Sequence, residues 1–156
     1  MMTEEKNSSD NKTLFQGIIA GDLKAVKVSV GAGASIHGKD KWQRTPLMLA
    51  SQLGEAAIAR FLIDHGAFVN GRNSNLETAL HWAARFGQLE TVELLIASGA
   101  NVEAKDRASN TPIHWAIRHG QSNVALVLKH AELNRKSGPQ FSLNDRGNDD
   151  LDKTDV

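Results

Sequence analysis

The chain has no cysteine among its 156 residues. That excludes a disulfide framework, a thiolate metal site and a thiol nucleophile, and it fits a reducing compartment. Net charge is absent too. The 18 basic and 18 acidic side chains cancel, which removes a strongly basic nucleic-acid binder from the default readings. Long apolar runs are also missing: no stretch approaches the roughly 18 apolar residues of a membrane span. Residues 1–13, MMTEEKNSSDNKT, are too polar for a secretory signal. The sequons at Asn7 and Asn11 are therefore expected never to meet a glycosylation enzyme. No long basic run marks nuclear import, which leaves cytoplasm and nucleus both open for a soluble intracellular chain. No glycine-rich phosphate loop follows a strand, and no nucleophile, base and orienting group assemble, so no cofactor and no catalysis are expected. What is present is 40% hydrophobic and 23% charged, a composition that folds, in a length that suits one domain with tails.

Self-similarity decides the architecture. TPLMLA (45–50), TALHWA (78–83) and TPIHWA (111–116) start 33 residues apart. Gly54, Gly87 and Gly120 keep that interval, and one step back lies Gly21. Leu62, Leu95 and Leu128 follow it, as do Gly33, Gly66 and Gly99. Each threonine can cap a helix, and Pro46 and Pro112 suit the first helical position. Gly54, Gly87 and Gly120 supply the left-handed residue of a tight stop. Second helices are predicted over 55–65, 88–98 and 121–130, closed by Gly66 and Gly99 in the complete units. Units this small cannot bury their own apolar faces and must stack.

These strings and their period resemble the ankyrin repeat, most closely over 73–105, well over 40–72 and 106–133, and weakly over 12–39. The resemblance implies a mainly α fold: a solenoid of helix–turn–helix units joined by projecting β-hairpin loops. The expected layout is a disordered segment 1–11, four repeats over 12–133 and a disordered acidic tail 134–156. Both end repeats are modified. Ser29 replaces the leucine of the first, while Lys129 and Glu132 replace an isoleucine and the closing glycine of the last. The four units are thus expected to form a complete short solenoid and a monomer. The family's hairpin glycine is replaced by Gln43, Leu76 and Ser109, so the hairpin tips are expected to depart from the norm. The acidic residue five before the threonine is kept as Asp40 and Asp106 but becomes Asn73.

Along each first helix, offsets four and eight from the threonine point away from the packed side. They hold Leu49 and Leu53, then Trp82 and Phe86, then Trp115 and His119. By the resemblance this side lines a concave groove where protein partners dock, with Trp42 at a hairpin tip. Trp82 and Trp115 fit an inter-repeat core equally well. The repeats carry +3, and Arg44, Arg85 and Arg118 lie near the apolar stripe, which points to a protein partner of acidic character around an apolar centre. Plain solvation of the surface by these charges is the alternative. His81 and His114 are expected to stabilise turns, and no third ligand completes a zinc site. The segment LIDHGAFVN resembles the place where an asparaginyl hydroxylase modifies ankyrin repeats, at Asn70, although the leading reading of that residue is a hydrogen bond to its own hairpin. The final Thr154, Asp155 and Val156 resemble the C-terminal ligand of PDZ domains. The leading reading is a non-catalytic adaptor. A stoichiometric inhibitor or regulatory subunit of an enzyme or transcription factor is the alternative, and an enzyme the third.

Overall fold

The computed structural model describes residues 2–137, with side chains from Ser8 onward. Its eight helices alternate between two layers. The inner layer is α1 (Met2–Ile19), α3 (Pro46–Leu53), α5 (Ala79–Arg85) and α7 (Pro112–Arg118), each packed on the next. The outer layer is α2 (Leu23–Gly31), α4 (Ala56–Asp64), α6 (Leu89–Ala97) and α8 (Ser122–Ser137). One continuous core runs between the layers through Leu14, Ile18, Val26, Leu47, Leu62, Leu80, Leu95 and Leu128, all essentially without solvent exposure. The periodic leucines thus bury one another across repeats, as a stacked array requires. Ser29, in the leucine place of the first unit, is buried and donates its hydroxyl to the Ala25 carbonyl at 2.9 Å.

Local chemistry sets the helix ends. Thr45 Oγ1 accepts the Met48 amide and Pro46 begins α3. Gly54 closes the same helix at φ 75°, a left-handed conformation that disfavours a side chain. A Cβ at Gly54 would also meet the Gln88 side chain, whose Nε2 donates to the Gln52 carbonyl at 2.9 Å. Gln121 repeats this clamp one unit on, donating to the Arg85 carbonyl at 3.2 Å.

Three expectations need correction. Residues 2–11, expected to be disordered, form the first half of α1. Asn11 Oδ1 accepts the Ser35 amide at 2.7 Å, tying that helix to the end of its own repeat. Residues 134–137, expected to belong to the tail, continue α8 to Ser137, because Glu132 stands where Gly66 and Gly99 end their helices. Its last turn reaches back to the preceding repeat, where Arg135 Nη1 donates to Asn101 Oδ1 at 2.9 Å. Finally, the projecting β-hairpins are tight turns, and the described residues contain no strand.

Those turns share one design. Asp40, Asn73 and Asp106 each pair their backbone amide with the carbonyl four residues on (Arg44, Glu77 and Asn110) at 2.9–3.1 Å. In each, Oδ1 of the same residue accepts two further backbone amides at 2.8–3.0 Å. Held this way, Gln43, Leu76 and Ser109 adopt φ of 64°, 61° and 64°, the left-handed conformation that glycine would take without strain.

Candidate functional site

The inner helices present their offset-eight side chains outward and their offset-four side chains toward the neighbouring repeat. Leu49 is buried, whereas Trp82 and Trp115 are half-buried. Leu53 and Phe86 are exposed at 40% and 42%, and His119 is exposed as well. The tryptophans are therefore shared between surface and inter-repeat packing, and Phe86 is the more open ring. Trp82 lies near-parallel to Phe86, with centroids 6.5 Å apart, and tilts against Trp115 at 6.2 Å. The His119 ring stacks on Trp115 at 6.2 Å.

Arg85 sits in the middle of this cluster. Its guanidinium carbon lies 5.4 Å from the Phe86 ring, 5.4 Å from Trp115 and 6.0 Å from Trp82. Aromatic faces attract the cation, yet among the described residues no carboxylate pairs with it. Arg118 is exposed and, among the described residues, makes only a long contact of 3.4 Å to Asn110 Oδ1.

Asp106 organises the far side. Its Oδ2 accepts the Trp115 indole N–H at 2.9 Å, fixing that ring. Burial pushes the Asp106 carboxyl up, but hydrogen bonds from the Asn110 amide, the Trp115 indole, the Asn110 side chain and the Ala108 amide outweigh it. They hold the group below the ordinary carboxylate range. In the preceding repeat Asn73 uses its amide nitrogen on Glu77 at 2.6 Å, and the Trp82 indole N–H is left buried without an acceptor.

Other expected residues have other places. Arg44 is bound to Asp40 Oδ2 at 2.7–2.8 Å and to Gln52 Oε1 at 2.6 Å, which leaves it a brace. Trp42 is 59% exposed, with Arg44 4.7 Å and Lys41 4.1 Å from its ring, and it faces α1 across a separate cleft. Asn70 bridges two loops, donating to the Gly99 carbonyl at 3.1 Å and accepting the Asn101 amide at 2.7 Å. Thr154, Asp155 and Val156 lie outside the described residues.

The histidines divide by position. His81 is fully buried: its Nδ1 accepts the Thr78 amide at 3.1 Å and its Nε2 donates to the Asn110 carbonyl at 2.9 Å in the next repeat. Burial lowers its pKa below the ordinary 6.5, in keeping with an Nδ1 that accepts a backbone amide. His114 makes the same local bond, at 3.0 Å from the Thr111 amide.

Sequence reasoning missed Phe15, Ile19 and Lys12, which line the Trp42 cleft from α1. The apolar pairs Leu14–Phe15 and Ile18–Ile19 at helical spacing are the signal that could have placed them.

A family model for ankyrin repeats (3 copies) matches residues 14–106. The chain belongs to the ankyrin repeat family. It is similar to protein phosphatase 1 regulatory subunit 27 of Mus musculus, 42% identical over 50 residues. The Homo sapiens protein of the same name matches equally, at 42% over 50 residues. These matches cover 32% of this chain and only 32% of the length of each relative.

Proposed function

We propose that the chain is a non-catalytic adaptor that binds an acidic segment of a protein partner on its concave face. Ankyrin repeats point to protein–protein interaction, and no helix among the described residues is long and apolar enough to cross a membrane. The observation that supports this particular reading most is the Arg85 guanidinium, ringed by Trp82, Phe86 and Trp115 with no carboxylate paired to it among the described residues. A partner carboxylate would meet a cation already stripped of part of its hydration by aromatic walls. An apolar neighbour on the partner would fill the exposed Leu53–Phe86 strip. The bound pair breaks no covalent bond, and its work is occlusion or bridging inside the cell.

A regulatory subunit is the second reading, favoured by the likeness to a protein named as a phosphatase regulatory subunit. Affinity enrichment with mass spectrometry separates the outcomes. Wild type and the Arg85→Glu/Phe86→Ala double variant are compared as baits. Partners captured by wild type and lost by the variant are expected, and identical lists would reject the concave-face assignment. Presence of a phosphatase catalytic subunit in the lost set, with altered activity on adding the pure protein, would establish the regulatory reading.

A further inference from the structure

A second recessed surface lies away from the aromatic cluster. Helix α1 begins ahead of the first repeat, in the segment expected to be disordered, and faces the 39–42 turn across an open cleft of roughly 690 Å³. Its apolar walls are Phe15, Ile19 and Trp42, of which Ile19 and Trp42 are exposed at 63% and 59%. Such large side chains are left open in neighbouring positions where a single exposed residue would need no explanation. Lys12, Lys39 and Lys41 stand around them. None of the three forms an ion pair among the described residues, and the Lys41 ammonium lies 4.1 Å from the Trp42 ring centroid. Among the described residues Asp40 is the one carboxylate in the lining, and its charge is already neutralised by Arg44 through two contacts of 2.7–2.8 Å.

We propose that this cleft is a separate docking site for an acidic peptide segment carrying an aliphatic or aromatic anchor. The anchor enters between Ile19 and Trp42, and flanking carboxylates meet Lys12, Lys39 and Lys41. Charge complementarity selects the occupant: three cations around an apolar floor, with the local carboxylate satisfied, disfavour basic or neutral segments. The concave shape suits a chain segment better than a flat anionic surface. Nothing here depends on the concave-face reading, since the cleft shares no residue with the Arg85 cluster.

The test is an amide chemical-shift titration of the full chain. The probes are a blocked peptide alternating glutamate with leucine and phenylalanine, and its glutamine counterpart. With the glutamate peptide, saturable shifts over residues 8–19 and 39–42 are expected, independent of any response on α5 and α7, and the glutamine peptide should cause none at the cleft. Combined Lys12→Gln, Lys39→Gln and Lys41→Gln changes are expected to weaken binding about tenfold, Trp42→Ala similarly, with circular dichroism unchanged. Phe86→Ala should leave it as it was, which keeps this site distinguishable from the concave face. Shifts on α5 and α7 instead, no shift with either peptide, or wild-type affinity in the triple-lysine variant would overturn the proposal. It would fall equally if the cleft amides moved on deleting 138–156 or on raising protein concentration without peptide. Those outcomes would make the chain's own tail, or a second copy, the occupant. Binding to anionic phosphatidylserine vesicles in place of the peptide would likewise overturn it.

Discussion

Trp82 carries a defect that its twin Trp115 lacks, and one side chain accounts for it. At Asp106 a carboxylate receives the indole N–H; at Asn73 the corresponding amide is turned to Glu77. A buried donor without an acceptor costs about 1–3 kcal/mol. Asn73→Asp alone would face the Glu77 carboxylate, so its benefit is cancelled by repulsion. Asn73→Asp with Glu77→Arg rebuilds the Asp40–Arg44 pair of the preceding turn, and it is expected to stabilise the fold by about 1 kcal/mol in urea denaturation. A similar gain is expected from Ser109→Gly, because φ of 64° costs a side-chain-bearing residue about 1 kcal/mol. An unchanged midpoint in either variant would contradict the corresponding argument. His81 makes the fold pH-sensitive. Its folded pKa lies below 6.5, so the unfolded chain binds the proton more readily. Its contribution is then complete above pH 6.5 and is lost as the pH falls through that value toward the lowered one. His81→Gln, which cannot titrate, is expected to flatten the urea midpoint between pH 7.5 and 5.5. Asp106 adds a second loss on acidification, setting in below its ordinary 3.8.

Element boundaries follow from single residues as well. Glu132 in place of a closing glycine lets α8 run on to Ser137, where Arg135 and Lys136 face Glu103 at 3.3 and 3.6 Å. These exposed pairs contribute little by themselves, and the continued helix is what places them. Glu132→Gly is therefore expected to end the helix near 131. Amide exchange should quicken over 133–137 while the Leu95 and Leu128 core stays protected; unchanged protection at 133–137 would refute this account. Much of the fold was legible at this scale because caps, stops and buried leucines recur at one spacing. The turns were legible only in part. The asparagine and aspartate that build them are visible, but no strand ladder forms, since each turn closes on its own side chain. The start of α1 was illegible because its first turns are polar and lack the repeat pattern. The offset-eight residues of the site could be read from helical geometry. Whether a tryptophan at offset four is wall or floor depends on its neighbours across the stack. Arg44 looked like a free cation because its partners, Asp40 and Gln52, meet it only after folding.

In the whole molecule the repeats are joined by side chains that cross from one unit to the next. Gln88, Gln121, His81 and Asn70 each bond a backbone group of a neighbouring repeat. Arg107 does the same at the turns, reaching the Ser74 carbonyl at 2.8 Å. Such ties fix neighbouring repeats against one another, and under the proposed function they would present the Arg85 cluster already formed. Rigidity of this kind lowers the entropic cost of capturing a partner. If the proposed concave face binds as argued, removing the Arg85 cation should act mainly on affinity and its salt dependence, with the fold intact.

The most direct measurement is a calorimetric titration of an enriched partner against wild type and Arg85→Glu at low and moderate salt. The concave-face account expects affinity to fall at least roughly tenfold in the variant, with the salt dependence of the wild type much reduced. Equal affinity and equal salt dependence in the two proteins would contradict it.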